Sequence, residues 1–329
     1  MSQHTARGTP TCYHAPVPSG PLVSVSVDLD AVACYHRIHA LPAPPEGQAR
    51  FAILRRCLPR FAELFERHGI LATFFVVGED LEQDPEGRRL LAELAALGHE
   101  LGNHSHTHPY DLTRLAPARI DEEVGRAHAA IAEVAGRAPV GFRAPGYETS
   151  ATLIETLARH GYRYDSSAFP STPYYLAKAA VMAGIRVAGR QSGSILGSPA
   201  VLRAPTTPYF PSPRNVYRRG QGGVLELPMA VTPWLRLPVI GTSLITAPEW
   251  LRKRLVGAAL ARPFFNLELH GIDLADTEAD GFTPELRRKQ PDLRVPLRRK
   301  WAALDATFRA AHERGAEFAT LAQASERVA

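Results

Sequence analysis

Cysteine is scarce in this sequence, and long apolar runs are missing. Three cysteines among 329 residues, Cys12, Cys34 and Cys57, are too few for a disulfide framework, which favours a reducing compartment. No stretch of about 18 apolar residues occurs, so no transmembrane helix is expected. The first residues are polar, rich in Pro, Ser and Thr, and lack the apolar segment of a signal peptide. These absences predict a disordered leader over residues 1–21 and a cytoplasmic protein.

Signatures of nucleic-acid binding and internal repeats are also missing. Without a zinc-finger or RNA-binding pattern, nucleic acid is not an expected partner. The formal net charge is +5, and the basic residues form short scattered clusters such as Arg298-Arg299-Lys300. Such clusters are typical of a solvated surface, with a weak attraction to phosphate or anionic headgroups as the alternative.

Strand-like and helix-like segments alternate along the rest of the chain. Ile70–Val77 is an apolar run typical of a strand buried on both faces. Apolar residues recur at helical spacing in Phe51–His68 and Ala118–Val134. Seven or eight strands alternating with helices predict an α/β fold with a parallel sheet, closer to a barrel than to a short open sheet. The length fits one domain over residues 22–329, with a loop-rich insertion at about 169–223 where Pro, Ser, Gly, Tyr and Arg dominate.

Polar residues stand where several predicted strands end. Asp28, His104, Arg143, Asp165 and His270 each lie at or just beyond the carboxyl end of such a strand. In a β/α barrel this is the face where the loops converge on the active site. Five polar side chains from distant segments are therefore expected to meet.

Two short segments contain candidate metal ligands and a candidate base. In Asp28-Leu29-Asp30, alternate residues of an extended chain point the same way, so both carboxylates can face one cleft; turn or capping chemistry is the alternative. His104 and His108 are four residues apart and can meet in a tight turn. With one carboxylate they form a two-His, one-carboxylate metal set. A polar surface loop is the alternative, and His106 is expected to point away from the ligands.

Two further segments complete the candidate site. Arg143 can orient a carboxylate through a charge-assisted hydrogen bond, and the turn at Gly146 can aim a backbone N–H at a developing oxyanion. His270 ends an apolar strand, where a lone histidine is otherwise a hydrogen-bonded core residue.

Taken together, the segments from about Val23 to His270 resemble the polysaccharide deacetylase family, also called carbohydrate esterase family 4 or the NodB-homology domain. The resemblance implies an irregular (β/α)7-type barrel that binds one divalent metal, usually zinc. It also implies a role for each matching residue: Asp28 as catalytic base, Asp30, His104 and His108 as metal ligands, Arg143 holding the base, Gly146 or Tyr147 supplying the oxyanion N–H, Asp165 as the acid of the fourth motif, and His270 as catalytic acid.

The sequence departs from the usual family pattern at three places. Leu29 separates the two acids of the first motif, Gly146 stands where many members have an aromatic residue, and the fourth motif lacks its usual Trp. The Asp-x-Asp variant resembles a cytoplasmic branch of the superfamily. That branch includes peptidoglycan-deacetylase-like proteins, cyclic-amide hydrolases similar to allantoinase, and the deformylase of lipid-linked amino-arabinose.

The expected activity is therefore metal-dependent hydrolysis of a non-peptide C–N amide bond. The favoured substrate is an N-acylated amino sugar, free, nucleotide-linked or lipid-linked, that loses an acetyl or formyl group. An allantoinase-like cyclic-amide hydrolase and a non-catalytic metal- or glycan-binding domain are the alternatives. Peripheral contact with a lipid-linked substrate and homo-oligomerisation both stay open.

The segments 169–223 and 231–246 are expected to cover the site. Their aromatic residues can stack on a sugar ring and their arginines can hold a phosphate, with ordinary loop packing as the alternative. Leu235–Ile245 is apolar enough to meet a lipid tail, but a buried core segment explains it equally well.

Overall fold

The computed structural model describes residues 20–44 and 48–329. The predicted leader over residues 1–21 lies almost entirely outside the described residues. None of the described helices is long and apolar enough to cross a membrane.

Ten strands and twelve α-helices follow one another along the described chain. The strands are β1 (Leu22–Asp28), β2 (Thr73–Val76), β3 (Glu100–Asn103), β4 (Gly141–Phe142), β5 (Tyr164–Asp165), β6 (Pro211–Ser212), β7 (Asn215–Arg219), β8 (Leu225–Glu226), β9 (Phe264–His270) and β10 (Glu317–Phe318). The helices are α1 (Val32–Ile38), α2 (Leu58–His68), α3 (Gly78–Gln83), α4 (Pro85–Ala96), α5 (Pro117–Ala135), α6 (Ala151–Arg159), α7 (Thr172–Val187), α8 (Gly241–Thr246), α9 (Glu249–Leu260), α10 (Pro284–Lys289), α11 (Leu297–Glu313) and α12 (Leu321–Val328).

Eight of the strands form one curled parallel sheet. Its order is β10-β1-β2-β3-β4-β5-β8, and β9 pairs with β1 over seven residues. The segment after β8 approaches β9, because the amide of Asn266 donates to the Leu227 carbonyl at 2.9 Å and the Ala230 N–H donates to the Asn266 carbonyl at 3.1 Å. The predicted α/β fold of the (β/α)7 type is thus confirmed.

The alternation of residues in β1 sets the two faces of the sheet. Val23, Val25 and Val27 pack in the main hydrophobic core, which lies between the sheet and helices such as α2 and α11. Ser26 and Asp28 instead meet the guanidinium of Arg143. Successive side chains of a strand point to opposite faces, so the small and acidic residues of β1 create a polar interior beneath the carboxyl ends of the strands.

The insertion at 169–223 contains regular structure that the sequence analysis did not predict. It holds the 16-residue helix α7 and a two-stranded antiparallel hairpin, β6–β7. No residue of α7 is buried. Apolar residues lie on the outer side of α7 as well as on the side that faces the cleft, so its sequence shows little contrast between an apolar and a polar face.

Candidate active site

Three buried side chains form a candidate metal centre at the carboxyl ends of β1 and β3. Asp30 lies two residues beyond β1, while His104 and His108 follow β3. Asp30 Oδ1 lies 3.1 Å from Nε2 of His104 and 3.1 Å from Nε2 of His108. Each residue offers a ligand atom within 4.8 Å of the others, so the structure brings together the three residues predicted as ligands.

The surroundings of both histidines fit a cation. Nδ1 of His104 lies 2.6 Å from the carbonyl oxygen of Arg143, so the proton belongs on Nδ1 and the Nε2 lone pair faces Asp30. His108 is buried; its Nε2 lies beside the Asp30 carboxylate, and its Nδ1 has no hydrogen-bond partner among the described residues. Burial lowers the pKa of His108, which favours the neutral, ligating form. Burial opposes the charge of Asp30, but the nearby His108 and His104 hold its pKa well below the usual value.

The loop between the two histidines has a strained backbone that α5 stabilises. Ser105 and His108 have positive φ angles of 64° and 55°, a region that residues other than glycine rarely adopt. The Glu123 carboxylate of α5 accepts from the N–H of His106 at 3.0 Å and from the N–H of Thr107 at 2.8 Å. The His106 ring extends toward Glu82, with 3.8 Å between Nε2 and Oε1, and not toward Asp30.

Arg143 holds the candidate base from inside the barrel. Its guanidinium is fully buried and donates to Asp28 Oδ1 at 2.6 Å and to Ser26 Oγ at 2.9 Å. Ser166 accepts two further bonds, through its carbonyl and its hydroxyl, at 2.8 Å each. The guanidinium carbon also lies 4.3 Å from the centroid of the Phe75 ring. Because these contacts fix the guanidinium, it holds the Asp28 carboxylate in one position.

His270, Glu268 and Tyr147 form a closed ring of hydrogen bonds. Nδ1 of His270 lies 2.9 Å from Glu268 Oε1, and Nε2 lies 2.9 Å from the Tyr147 hydroxyl, which itself lies 3.2 Å from Glu268 Oε1. A carboxylate only accepts, and the tyrosine has one proton to give to it. All three contacts are therefore satisfied together when both ring nitrogens carry protons. Burial opposes the charge of His270, but the Glu268 carboxylate raises its pKa well above the ordinary value.

Asp165 lies behind the cleft. It is buried, accepts a hydrogen bond from the Ser167 hydroxyl, and burial raises its pKa to about 6. Ser167 in turn accepts from the N–H of Ala144 at 2.8 Å. Asp165 therefore supports the loop after Arg143 and does not line the cleft.

The two candidate oxyanion donors differ in their hydrogen bonds. The Tyr147 N–H donates to the Ala144 carbonyl at 3.1 Å, so it belongs to the turn. Gly146 has a φ of 67° and lines the cleft, and its carbonyl accepts from Lys178 Nζ at 3.2 Å. Of the two, the Gly146 N–H is the better candidate.

The floor of a cleft of about 500 Å³ is formed by Asp28, Asp30, His104, Gly146, Tyr147 and His270. Its wall combines apolar and hydroxyl side chains with one cation: Ile38, Ala177, Lys178, Val181, Met182, Ser192, Ser194, Pro238 and Ile240. A larger groove of about 730 Å³, lined by residues of α9 and α11, contains none of the candidate residues. Sequence reasoning missed Glu268, although its position two residues before His270 places both side chains on one face of β9.

Comparisons with known proteins point to one family. Residues 51–164 match the family described as polysaccharide deacetylase. The peptidoglycan deacetylase of Helicobacter pylori is 30% identical over 158 residues, which are 47% of this chain and 53% of that protein. The chitooligosaccharide deacetylase of a Bradyrhizobium species is 37% identical over 106 residues, 32% of this chain and 47% of that protein. The matches thus span about half the length of these relatives.

A solved structure shares the fold over nearly the whole chain. It comes from Mycobacterium smegmatis and is named for the polysaccharide deacetylases. It superimposes with a TM-score of 0.59, covers 97% of this chain and 94% of its own, and is 20% identical. At that identity the likeness concerns the fold alone.

Proposed function

We propose that this chain acts as the polysaccharide deacetylases that it resembles do: it hydrolyses the amide bond of an N-acylated amino sugar and releases an acetyl or formyl group. The observation that carries this proposal is the pairing of Asp28 with His270. They are register partners at the ends of β1 and β9, and each has a dedicated ionic partner, Arg143 and Glu268 respectively.

Asp30, His104 and His108 would hold the metal ion. Two imidazoles and one carboxylate make the donor set of catalytic zinc sites, so zinc is our proposal for the metal. When bound, such an ion polarises the amide carbonyl and lowers the pKa of water.

The proposed base acts through one carboxylate oxygen. Arg143 engages Asp28 Oδ1, so Oδ2 is the oxygen that accepts a proton from the attacking water. The hydrogen bond from the guanidinium fixes the orientation of this carboxylate.

The proposed acid acts from the neighbouring strand, β9. Nδ1 of His270 is bonded to Glu268, so Nε2, now at the Tyr147 hydroxyl, gives its proton to the departing amine nitrogen. The Gly146 N–H is our candidate donor to the oxyanion.

The cleft favours an amino sugar over a small cyclic amide. The cleft volume of about 500 Å³ is large enough for a sugar ring and its substituents. Its apolar walls can contact the ring, and the Lys178 ammonium can contact a polar substituent. A binding domain without catalysis needs neither the Asp28 base nor the His270 acid. Cytoplasmic location stays a prediction.

The test is amine release from a panel of N-acetyl and N-formyl sugars, free, nucleotide-linked and lipid-linked, with allantoin-type cyclic amides alongside. We expect turnover of at least one sugar, which Asp28→Asn and His270→Ala each reduce by about two to four powers of ten. Turnover of the cyclic amides alone would favour an allantoinase-like cyclic-amide hydrolase. Full activity in both variants would remove the assignment.

A further inference from the structure

Helix α7 presents an apolar face to solvent as well as to the cleft. Residues spaced i, i+4, i+7 and i+11 share one side of a helix, and on α7 these are Leu176, Ala180, Ala183 and Val187. All four are exposed; Leu176 retains 60% and Val187 89% of its accessible surface. On the opposite side of the helix, residues such as Ala177 and Met182 line the cleft. A helix with apolar residues on two opposite sides normally has a partner on each of them.

A second apolar projection stands beside the start of this helix. Trp234 and Leu235 occupy the tip of a turn and are 98% and 70% exposed. The Ser171 hydroxyl, which caps α7, donates to the Arg236 carbonyl at 2.9 Å and joins the turn to the helix. Trp234 has a φ of 61°, so a strained backbone holds a large apolar ring in water.

The segment that contains α7 and the Trp234–Leu235 turn has no exposed carboxylate. Between Ser166 and Pro248 the only acidic residue is Glu226, which is fully buried. The same stretch contains eight cationic residues: Lys178, Arg186, Arg190, Arg203, Arg214, Arg218, Arg219 and Arg236. Two of them, Arg186 and Arg190, are exposed at the carboxyl end of α7.

We propose that this region docks on an anionic phospholipid bilayer. The docking surface, which we call the α7 surface, consists of the outer face of α7 with the Trp234–Leu235 turn. Exposed Trp and Leu enter the headgroup region of a bilayer, and flanking arginines are attracted to anionic lipids. An apolar surface with a cationic edge, built by a stretch of chain without an exposed carboxylate, complements such a membrane.

A second copy of the chain fits this surface poorly. A two-fold contact through α7 would bring the same surface of two copies together, so one interface would contain Arg186 and Arg190 of both copies. No acidic residue of this stretch is available at the surface to offset that repulsion. A bilayer supplies the missing negative charge.

Docking would also orient the cleft. The opposite side of α7 lines the cleft, so the mouth would lie close to the lipid headgroups, where a lipid-linked sugar would present its amide. That consequence rests on the proposed function, whereas docking itself does not.

The experiment is co-sedimentation of the full chain with vesicles of phosphatidylcholine alone or mixed with phosphatidylglycerol. We expect binding to the anionic vesicles with a blue shift of tryptophan emission. Leu176→Glu and the double variant Trp234→Ser/Leu235→Ser should each weaken it at least about tenfold. Arg186→Gln should weaken it about fivefold.

Two matched controls lie outside the α7 surface. Leu97 is 70% exposed after α4, and Arg298 is exposed on α11, so Leu97→Glu and Arg298→Gln should bind like the parent. Thermal melting of every variant verifies folding without reference to catalysis. Absence of binding, or equal binding to both kinds of vesicle, would overturn the proposal. So would a dimer in solution that Leu176→Glu dissociates, because the α7 surface would then join two copies.

Discussion

The side chains of Glu268 and His270 lie on the same face of β9, two residues apart, and their charged atoms meet at 2.9 Å. Glu268 is fully buried and His270 is partly exposed to the cleft. The strand itself thus places a counter-charge behind the candidate acid, without help from a distant loop.

Replacing Glu268 with Gln should move the alkaline limb of the pH–kcat profile. The raised pKa of His270 keeps the imidazolium present as pH rises past 6.5, so the limb of the parent should lie above that value. Without the carboxylate, burial dominates and the limb should shift to lower pH. Tyr147→Phe keeps the charge and should leave the limb near its place. An unchanged limb in Glu268→Gln would show that this pair does not set it.

Removing the Arg143 guanidinium should destabilise the protein strongly. Arg143→Met leaves the buried Asp28 without its partner, and we expect a loss of about 3–5 kcal/mol in the free energy of unfolding by urea. Adding Asp28→Asn should recover part of this loss but no activity. The exposed pair Arg89 and Glu93 provides the control, since Arg89→Met should cost less than about 1 kcal/mol. Equal losses for both arginines would contradict the assigned role.

Metal content should depend on three side chains and not on their neighbour. The purified protein should hold about one divalent ion per chain, and a chelator should lower both activity and Tm, because the ion binds only the folded state. Asp30→Asn and His108→Ala should abolish retention of the ion in metal analysis. His106→Ala should retain it, since that ring extends toward Glu82. If His106→Ala lost the metal while Asp30→Asn and His108→Ala retained it, the assignment of the ligands would be wrong.

Two glycines with the same backbone conformation allow the cost of backbone strain to be distinguished from an effect on catalysis. Gly136 and Gly146 both have φ 67° and ψ 10°. A Cβ at Gly136 would meet nothing within 4 Å, whereas one at Gly146 would lie 3.0 Å from the Tyr110 ring. Either substitution by Ala should cost about 1–2 kcal/mol in unfolding free energy. Only Gly146→Ala should also lower kcat, and similar kcat losses in both would exclude a specific role for the Gly146 turn.

The fold and much of the candidate site could be predicted because both depend on local patterns. Apolar runs such as Ile70–Val77 mark buried strands, and in a parallel sheet their carboxyl ends share one edge. Polar residues placed at those ends, such as Asp28 and His104, are therefore predicted to converge on one site.

What the sequence could not reveal depends on neighbours that are distant in the chain. Helix α7 has apolar residues on both its outer side and its cleft side, so no contrast between two faces indicated it. Asp165 ends a strand like the others, but the contact with Ser167 and its burial place it behind the cleft. The role of Glu268 needs knowledge of which face of β9 is buried. The helix predicted over Phe51–His68 contains a π-turn at Ile53–Cys57, which apolar spacing does not distinguish from an α-helix.

The seven-residue ladder between β1 and β9 has a consequence for the order in which the protein matures. Asp28 and His270 form its last rung, whereas Asp30, His104 and His108 all belong to the first third of the chain. During synthesis the three proposed ligands leave the ribosome long before the proposed acid. The pairing of Asp28 with His270 can therefore form only after the late strand β9 has closed against the early strand β1.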